Sequence, residues 1–138
     1  MSVERLLSIQ SEIKELLRDN SNLKYFPKII IVCKTFPMYK ILPLIQYGHI
    51  HFAENKLQEA WDKWKDIKKQ FPQIKLHMVG KLQSNKVRKA IELFDYVHSV
   101  DNYKLAKKIS KYQNILKKNI EIFVQVNVGE ESHKNGIY

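Results

Sequence analysis

The chain has 138 residues, 44% of them hydrophobic, and carries 24 lysines and arginines against 14 aspartates and glutamates, a formal net charge of +10. That length holds one domain at most, and that apolar content excludes a disordered chain. No apolar run approaches the roughly 20 residues of a membrane span, Met1-Ser2-Val3-Glu4-Arg5 lacks the apolar core of a signal peptide, and the lone cysteine, Cys33, excludes an internal disulfide and a cysteine metal cluster and fits a cytoplasmic protein.

Leu6, Ile9, Ile13, Leu16 and Leu17 recur at helical spacing and predict a first helix from Val3 to Arg18, stopped by Asp19-Asn20-Ser21-Asn22. The five apolar residues Ile29 to Cys33 predict a strand over Lys28 to Lys34, buried on both faces like a central parallel strand. A helix follows from about Pro37 to Tyr47, in which Pro43 should cause a kink or an early end, and Gly48 closes it. A short strand is expected near His49 to Ala53. The next helix runs from Asn55 to about Lys69, with Leu57, Ala60, Trp61, Trp64 and Ile67 on one face. Pro72 precedes a third strand, Lys75 to Val79. Ser84 reads as the N-cap of a helix holding Val87, Ala90, Ile91 and Phe94. Strand four is Tyr96 to Val100. Asp101 then caps a helix with Leu105, Ile109, Tyr112 and Leu116, and a fifth strand spans Ile120 to Val128. Repeated β-then-α units predict a parallel sheet with right-handed crossovers. Periodicity leaves two architectures open, a flavodoxin-like open sheet and the first part of a (β/α)₈ barrel.

The lysines are spread over several predicted helices, and Arg5, Arg18 and Arg88 are the only arginines. That distribution reads as solvated helix faces more than as a nucleic-acid-binding stripe. A basic nucleic-acid-binding module remains the third functional reading. It predicts steeply salt-sensitive binding, and it finds no aromatic stacking platform or helix-turn-helix pattern in its support.

The strand exits carry the chemistry. A lysine that closes an apolar strand is unusual, because its ammonium must reach water, a counter-charge or a ligand. In α/β barrels and open α/β sheets, ligands sit at the C-terminal ends of the strands. An amine there with a lowered pKa can form a Schiff base with an aldehyde such as pyridoxal phosphate. Lys34 is therefore the leading candidate, set against the plain alternative of a surface lysine leaving the strand. The remaining exits read Ala53-Glu54-Asn55-Lys56-Leu57-Gln58-Glu59, His77-Met78-Val79-Gly80-Lys81-Leu82-Gln83-Ser84-Asn85-Lys86, His98-Ser99-Val100-Asp101 and Gln125-Val126-Asn127-Val128-Gly129. Local alternatives stand beside each: Asn55 and Ser84 are good helix N-caps, Glu54 suits a helix N-terminus, and His77 and His98 suit a hydrogen-bonded core.

These five segments, in this order and spacing, resemble the pyridoxal phosphate homeostasis protein family, whose fold is a single-domain (β/α)₈ barrel similar to the N-terminal domain of alanine racemase. The resemblance implies that residues 1–138 are the N-terminal portion of such a barrel, about five parallel strands with an extra N-terminal helix. It implies pyridoxal 5′-phosphate as cofactor, with Lys34 as its Schiff-base lysine. Asn55 would hydrogen-bond near the pyridine ring, and His77, Gly80, Ser99 and Asn127 would line the same mouth. The implied role is non-catalytic: a carrier that buffers the free cofactor. Racemases of the related fold need a second base on the opposite cofactor face, and none is identified here. The alternative within the same resemblance is a truncated fold-type III racemase or decarboxylase.

Three departures from the family pattern are Ala53 in place of glycine, Lys81 in place of histidine, and Pro43 within a helix. The chain also stops at Tyr138, before the late strands that carry the family's phosphate site. The expectation is a fragment or one half of a split barrel. It would bind the cofactor weakly, and would be completed by a complementing C-terminal half or self-associate through open strand edges.

Overall fold

The computed structural model describes residues 2–20 and 25–138. The first helix, α1, spans Val3–Asp19. It starts at Ser2, whose hydroxyl accepts the Arg5 N–H at 3.3 Å, an N-cap that satisfies one of the donors a helix start leaves free. Of the stop signal expected after it, Ser21 and Asn22 lie outside the described residues. Five strands and four further helices follow: β1 Ile31–Val32, α2 Met38–Gln46, β2 His51–Glu54, α3 Leu57–Gln70, β3 Lys75–Met78, α4 Val87–Leu93, β4 Tyr96–Val100, α5 Tyr103–Leu116 and β5 Glu121–Val124. A 3₁₀ turn, Ser84–Lys86, leads into α4.

All five strands are parallel and lie in the order β1-β2-β3-β4-β5. This order decides between the two architectures left open by periodicity. A flavodoxin-like sheet reverses direction and places its first strand between the second and third. Here each crossover steps the same way, as in a (β/α)₈ barrel. The chain is a partial barrel of five strands with an extra N-terminal helix.

Alternation along the strands sorts side chains onto two faces. Phe52, Glu54, Leu76, Met78 and Val97 turn toward the helices and are buried, where they join Trp64, Ile41, Leu44, Val87, Ile91 and Phe94 in the core. Cys33 belongs to this layer and is fully buried. The other face, which lines the inside of the barrel, carries Val32, His51, Ala53, His77, Tyr96, His98 and Phe123.

Several boundaries differ from expectation for clear reasons. β1 was expected to be buried on both faces, yet Val32 is 44% exposed. It pairs only with β2, and its inner face is uncovered. All four residues of β5 are likewise exposed. The residues after β5 turn back on it: Ile137 N–H donates to Gln125 O and Asn127 N–H to Ile137 O, forming a parallel bridge at Val126. Pro43 lies inside α2 without ending it. The carbonyl that loses its donor belongs to Tyr39, which is well exposed, so water can satisfy it. Gly48 has φ +102°, the left-handed turn that lets the chain leave α2 for β2. α3 begins after Lys56, not at Asn55, and the cap of α5 is Asn102, whose side chain accepts Leu105 N–H at 2.9 Å, not Asp101.

Candidate functional site

Lys34 sits in a turn at the exit of β1. Phe36 N–H donates to Cys33 O at 3.1 Å, with Lys34 and Thr35 between them. Thr35 has φ +66°, the positive value that the third residue of a type II turn requires. A β-branched residue adopts it only at a cost of about 1–2 kcal/mol. Cys33 faces the core, and Lys34, the next residue, is exposed. Helix α3 reaches this turn from the side: Glu59 Oε1 accepts Thr35 N–H at 2.8 Å, and Lys63 Nζ donates to Cys33 O at 3.0 Å.

Beneath the turn lies a buried charged cluster. Lys63 Nζ also meets Glu54 Oε1 at 2.8 Å and Glu59 Oε1 at 3.1 Å. Glu54 is fully buried and takes Trp64 Nε1–H on the same oxygen at 2.9 Å. Burial works against the Lys63 charge, but the hydrogen bonds it donates to Glu54 and Glu59 outweigh it and push the ammonium pKa up. The Thr35 N–H, together with Lys63, holds the Glu59 carboxyl below its usual range.

The exits of the next strands are drawn together by backbone. A Cβ placed on Gly80 would stand 2.0 Å from Asn55 O, so only glycine lets the end of β3 pass this close to the end of β2. Ser99 Oγ donates to Gly80 O at 2.7 Å and ties β4 to the same point. Val32 pairs with Ala53, so Lys34 and Asn55 occupy equivalent places two residues further along their strands. Asn55 is half-buried and lines a recess of about 310 Å³ with Lys56, Lys81, Gln83 and Lys86.

On the inner face three imidazoles form a row across β2, β3 and β4. His51 Nδ1 lies 3.0 Å from His77 Nε2, and His77 Nδ1 lies 2.9 Å from His98 Nε2. Tyr96 stacks on His77 with ring centroids 4.2 Å apart, and Phe123 stacks on His98 at 4.4 Å. Each neutral imidazole has one donor and one acceptor, so the row has two consistent proton arrangements, one donating from His51 toward His98 and the other from His98 toward His51. Burial, followed by the neighbouring His98 and His51, lowers the His77 pKa to about 4. Burial also lowers those of His51 and His98.

Of the six residues expected to line the mouth, the structure therefore brings Lys34, Asn55, Gly80 and Ser99 to adjacent strand ends. His77 lies one step deeper, only 3% exposed, with both ring nitrogens engaged by other histidines. The Ser99 hydroxyl donates to protein backbone. Asn127 lies beyond the end of β5, where its side chain bridges both the N–H and the C=O of Glu131. Sequence reasoning missed Glu59 and Lys63, because their spacing reads as an exposed i,i+4 pair on a helix. No group of three or more His, Cys, Asp or Glu among the described residues is placed to hold a metal ion.

A parallel partial barrel that presents a lysine from its first strand exit, beside polar groups on the second to fourth exits, belongs to the class of α/β barrels whose ligand site lies at the C-terminal ends of the strands. No family-wide sequence profile matches the chain. Individual relatives do. It is 38% identical over 112 residues to the pyridoxal phosphate homeostasis protein of Vibrio cholerae, covering 80% of this chain and 48% of that protein. It is 30% identical over 138 residues to the protein of the same name from Haemophilus influenzae, covering 99% of this chain and 58% of that one. Among solved structures it is similar to PipY of Synechococcus elongatus, solved with pyridoxal phosphate bound, with a TM-score of 0.75 and 33% identity over 91% of this chain and 57% of that one. The chain is thus similar to pyridoxal phosphate homeostasis proteins over most of its own length, and it spans about half the length of the curated relatives it matches.

Proposed function

We propose that the chain takes part in pyridoxal 5′-phosphate binding as part of a cofactor carrier, with Lys34 as the covalent anchor. The observation that supports this most directly is the Lys34 turn: an exposed amine at a strand exit, on a backbone fixed at both neighbouring residues. The residues around it suit the cofactor. Gly80 lets the end of β3 close onto the Asn55 backbone and so brings the two exits together, and Asn55 offers an amide donor and acceptor at the equivalent place on the adjacent strand. When bound, the cofactor supplies an aldehyde carbon and a polar ring. Lys34 supplies the nucleophilic nitrogen, Asn55 orients the ring's polar edge, and Gly80 with Ser99 holds the exits close enough to form one wall. His77 and Asn127 act, in this reading, by holding strands and the following loop in place. We read the protein as a carrier and not a catalyst, because inverting a carbon centre requires a second base on the far side of the cofactor, and none of the described residues at the strand exits is assigned that role. On the same reading, the open edges of the sheet are where a second copy of the chain packs.

The test uses the whole chain. Pyridoxal phosphate is added, the absorbance change is followed, and borohydride reduction with peptide mass analysis locates any modification. Modification at residue 34 in the wild type, with loss of both signals in Lys34→Ala, is the expected result. Equal signals in the two proteins would overturn the assignment.

A further inference from the structure

One helix builds the Lys34 turn from both sides. The Cys33 carbonyl accepts Phe36 N–H within the turn and Lys63 Nζ from α3. The Thr35 amide donates to Glu59 Oε1, also on α3. Lys34 lies between these two attachments, so the peptide units on either side of it are tied to the same helix while the residue itself stays exposed. The positive φ of Thr35 gives the turn a reason to need outside support. Support continues inward. Lys63 uses all three of its donors, on Cys33 O, Glu54 Oε1 and Glu59 Oε1. Glu54, buried against Trp64, fixes Lys63 in turn. A continuous set of hydrogen bonds thus runs from the core to the backbone that carries the amine.

We propose that Glu59 and Lys63 are positioning residues for Lys34: α3 grips the chain on each side of it and so sets where the amine stands at the strand exits. The inference rests on the reading that Lys34 captures the cofactor. Attack on an aldehyde requires the nitrogen to approach the carbonyl carbon along a narrow path, and an amine on a loose turn occupies that path for a small fraction of the time. A second layer of hydrogen bonds that immobilises the carrier of the reacting group raises that fraction. Glu59 contributes an acceptor for Thr35 and a charge for Lys63, and the two contributions separate by substitution. Glu59→Ala removes both, whereas Glu59→Gln keeps an acceptor oxygen. Glu59 is about a third exposed, so neither change leaves a large cavity or a stranded buried charge.

The experiment compares wild type, Glu59→Ala and Glu59→Gln as full, ¹⁵N-labelled chains, reading amide exchange at Thr35 with Leu76 as internal reference. The Leu76 amide is held by Asp95 Oδ2 and reports global folding. In Glu59→Ala, Thr35 is expected to exchange about tenfold faster or more, with Leu76 unchanged and with most of the protection regained in Glu59→Gln. The same proteins are then treated with pyridoxal phosphate and reduced. Modification at residue 34 is expected to slow about tenfold in Glu59→Ala and to recover in Glu59→Gln. Unchanged Thr35 exchange, or faster exchange with an unchanged rate of modification, overturns the proposal. If residue 34 of the wild type is not modified at all, the reading of Lys34 as cofactor anchor falls instead. The grip is then judged by acetylation of Lys34 with acetic anhydride, which needs no cofactor: a different rate in Glu59→Ala sustains it, and an equal rate ends it.

Discussion

Glu54 is fully buried, and its two oxygens are treated unequally: Oε1 takes Lys63 Nζ and Trp64 Nε1, while Oε2 has no hydrogen-bond partner among the described residues. A buried carboxylate is tolerated only with good partners, so each of the two it has matters. Trp64→Phe keeps the ring and deletes the N–H. It is expected to lower stability by about 1–3 kcal/mol, seen as a lower urea midpoint with Trp61 as the remaining fluorophore. An unchanged midpoint would mean that Lys63 alone satisfies the group. Lys34 was legible in the sequence because a charge at the end of an apolar run stands out. The partners of its turn were not, because a side chain that bonds backbone 24 or 30 residues away leaves no local signature.

The row of imidazoles is a property of strands, since it needs β2, β3 and β4 in their observed register. His77 faces His51 and His98, with Asp95 and Lys28 as the more distant charges that act on it. Its folded pKa, about 4, lies below the 6.5 of an unfolded histidine. Between those values the unfolded chain binds more protons, so stability rises with pH across that window and is flat above it. His77 alone is expected to remove on the order of 1 kcal/mol between pH 7.5 and pH 5, and His77→Gln should flatten the urea midpoint over that range. A wild-type midpoint independent of pH would contradict the buried neutral state. The sequence named all five strands in order because β-branched and apolar runs alternate with helical periodicity. It overextended β1 and β5, whose apolar residues imply two covered faces where the sheet has one. It also misplaced the α5 cap by one residue, because Asp101 and Asn102 are both competent caps and only geometry selects between them.

At the scale of the molecule, the helices cover one face of the sheet and leave the barrel-lining face and two strand edges open. Ile122, Phe123, Val124 and Val126 on and after β5 are all more than 40% exposed. Edge strands with apolar side chains promote pairing between molecules. A net charge of +10 opposes it at low ionic strength. Sedimentation velocity is therefore expected to show self-association that grows with protein concentration and with added salt, and Val124→Lys should suppress it. A sedimentation coefficient independent of both variables, in wild type and variant alike, would count against association through this edge. The choice between barrel and open sheet was legible in the exit segments and the resemblance they carry but not in periodicity, since strand order depends on which way each crossover turns.

The single sulfhydryl, one residue before Lys34, carries a further consequence. Burial, with the charge of Glu54 beside it, pushes the Cys33 thiol up to about 12, and the side chain has no path to solvent. Alkylating reagents require both a thiolate and access, so they modify only molecules whose first strand has peeled away from the second. The chain thus contains its own built-in clock, read by alkylation, for the unzipping of the segment that bears the reactive amine.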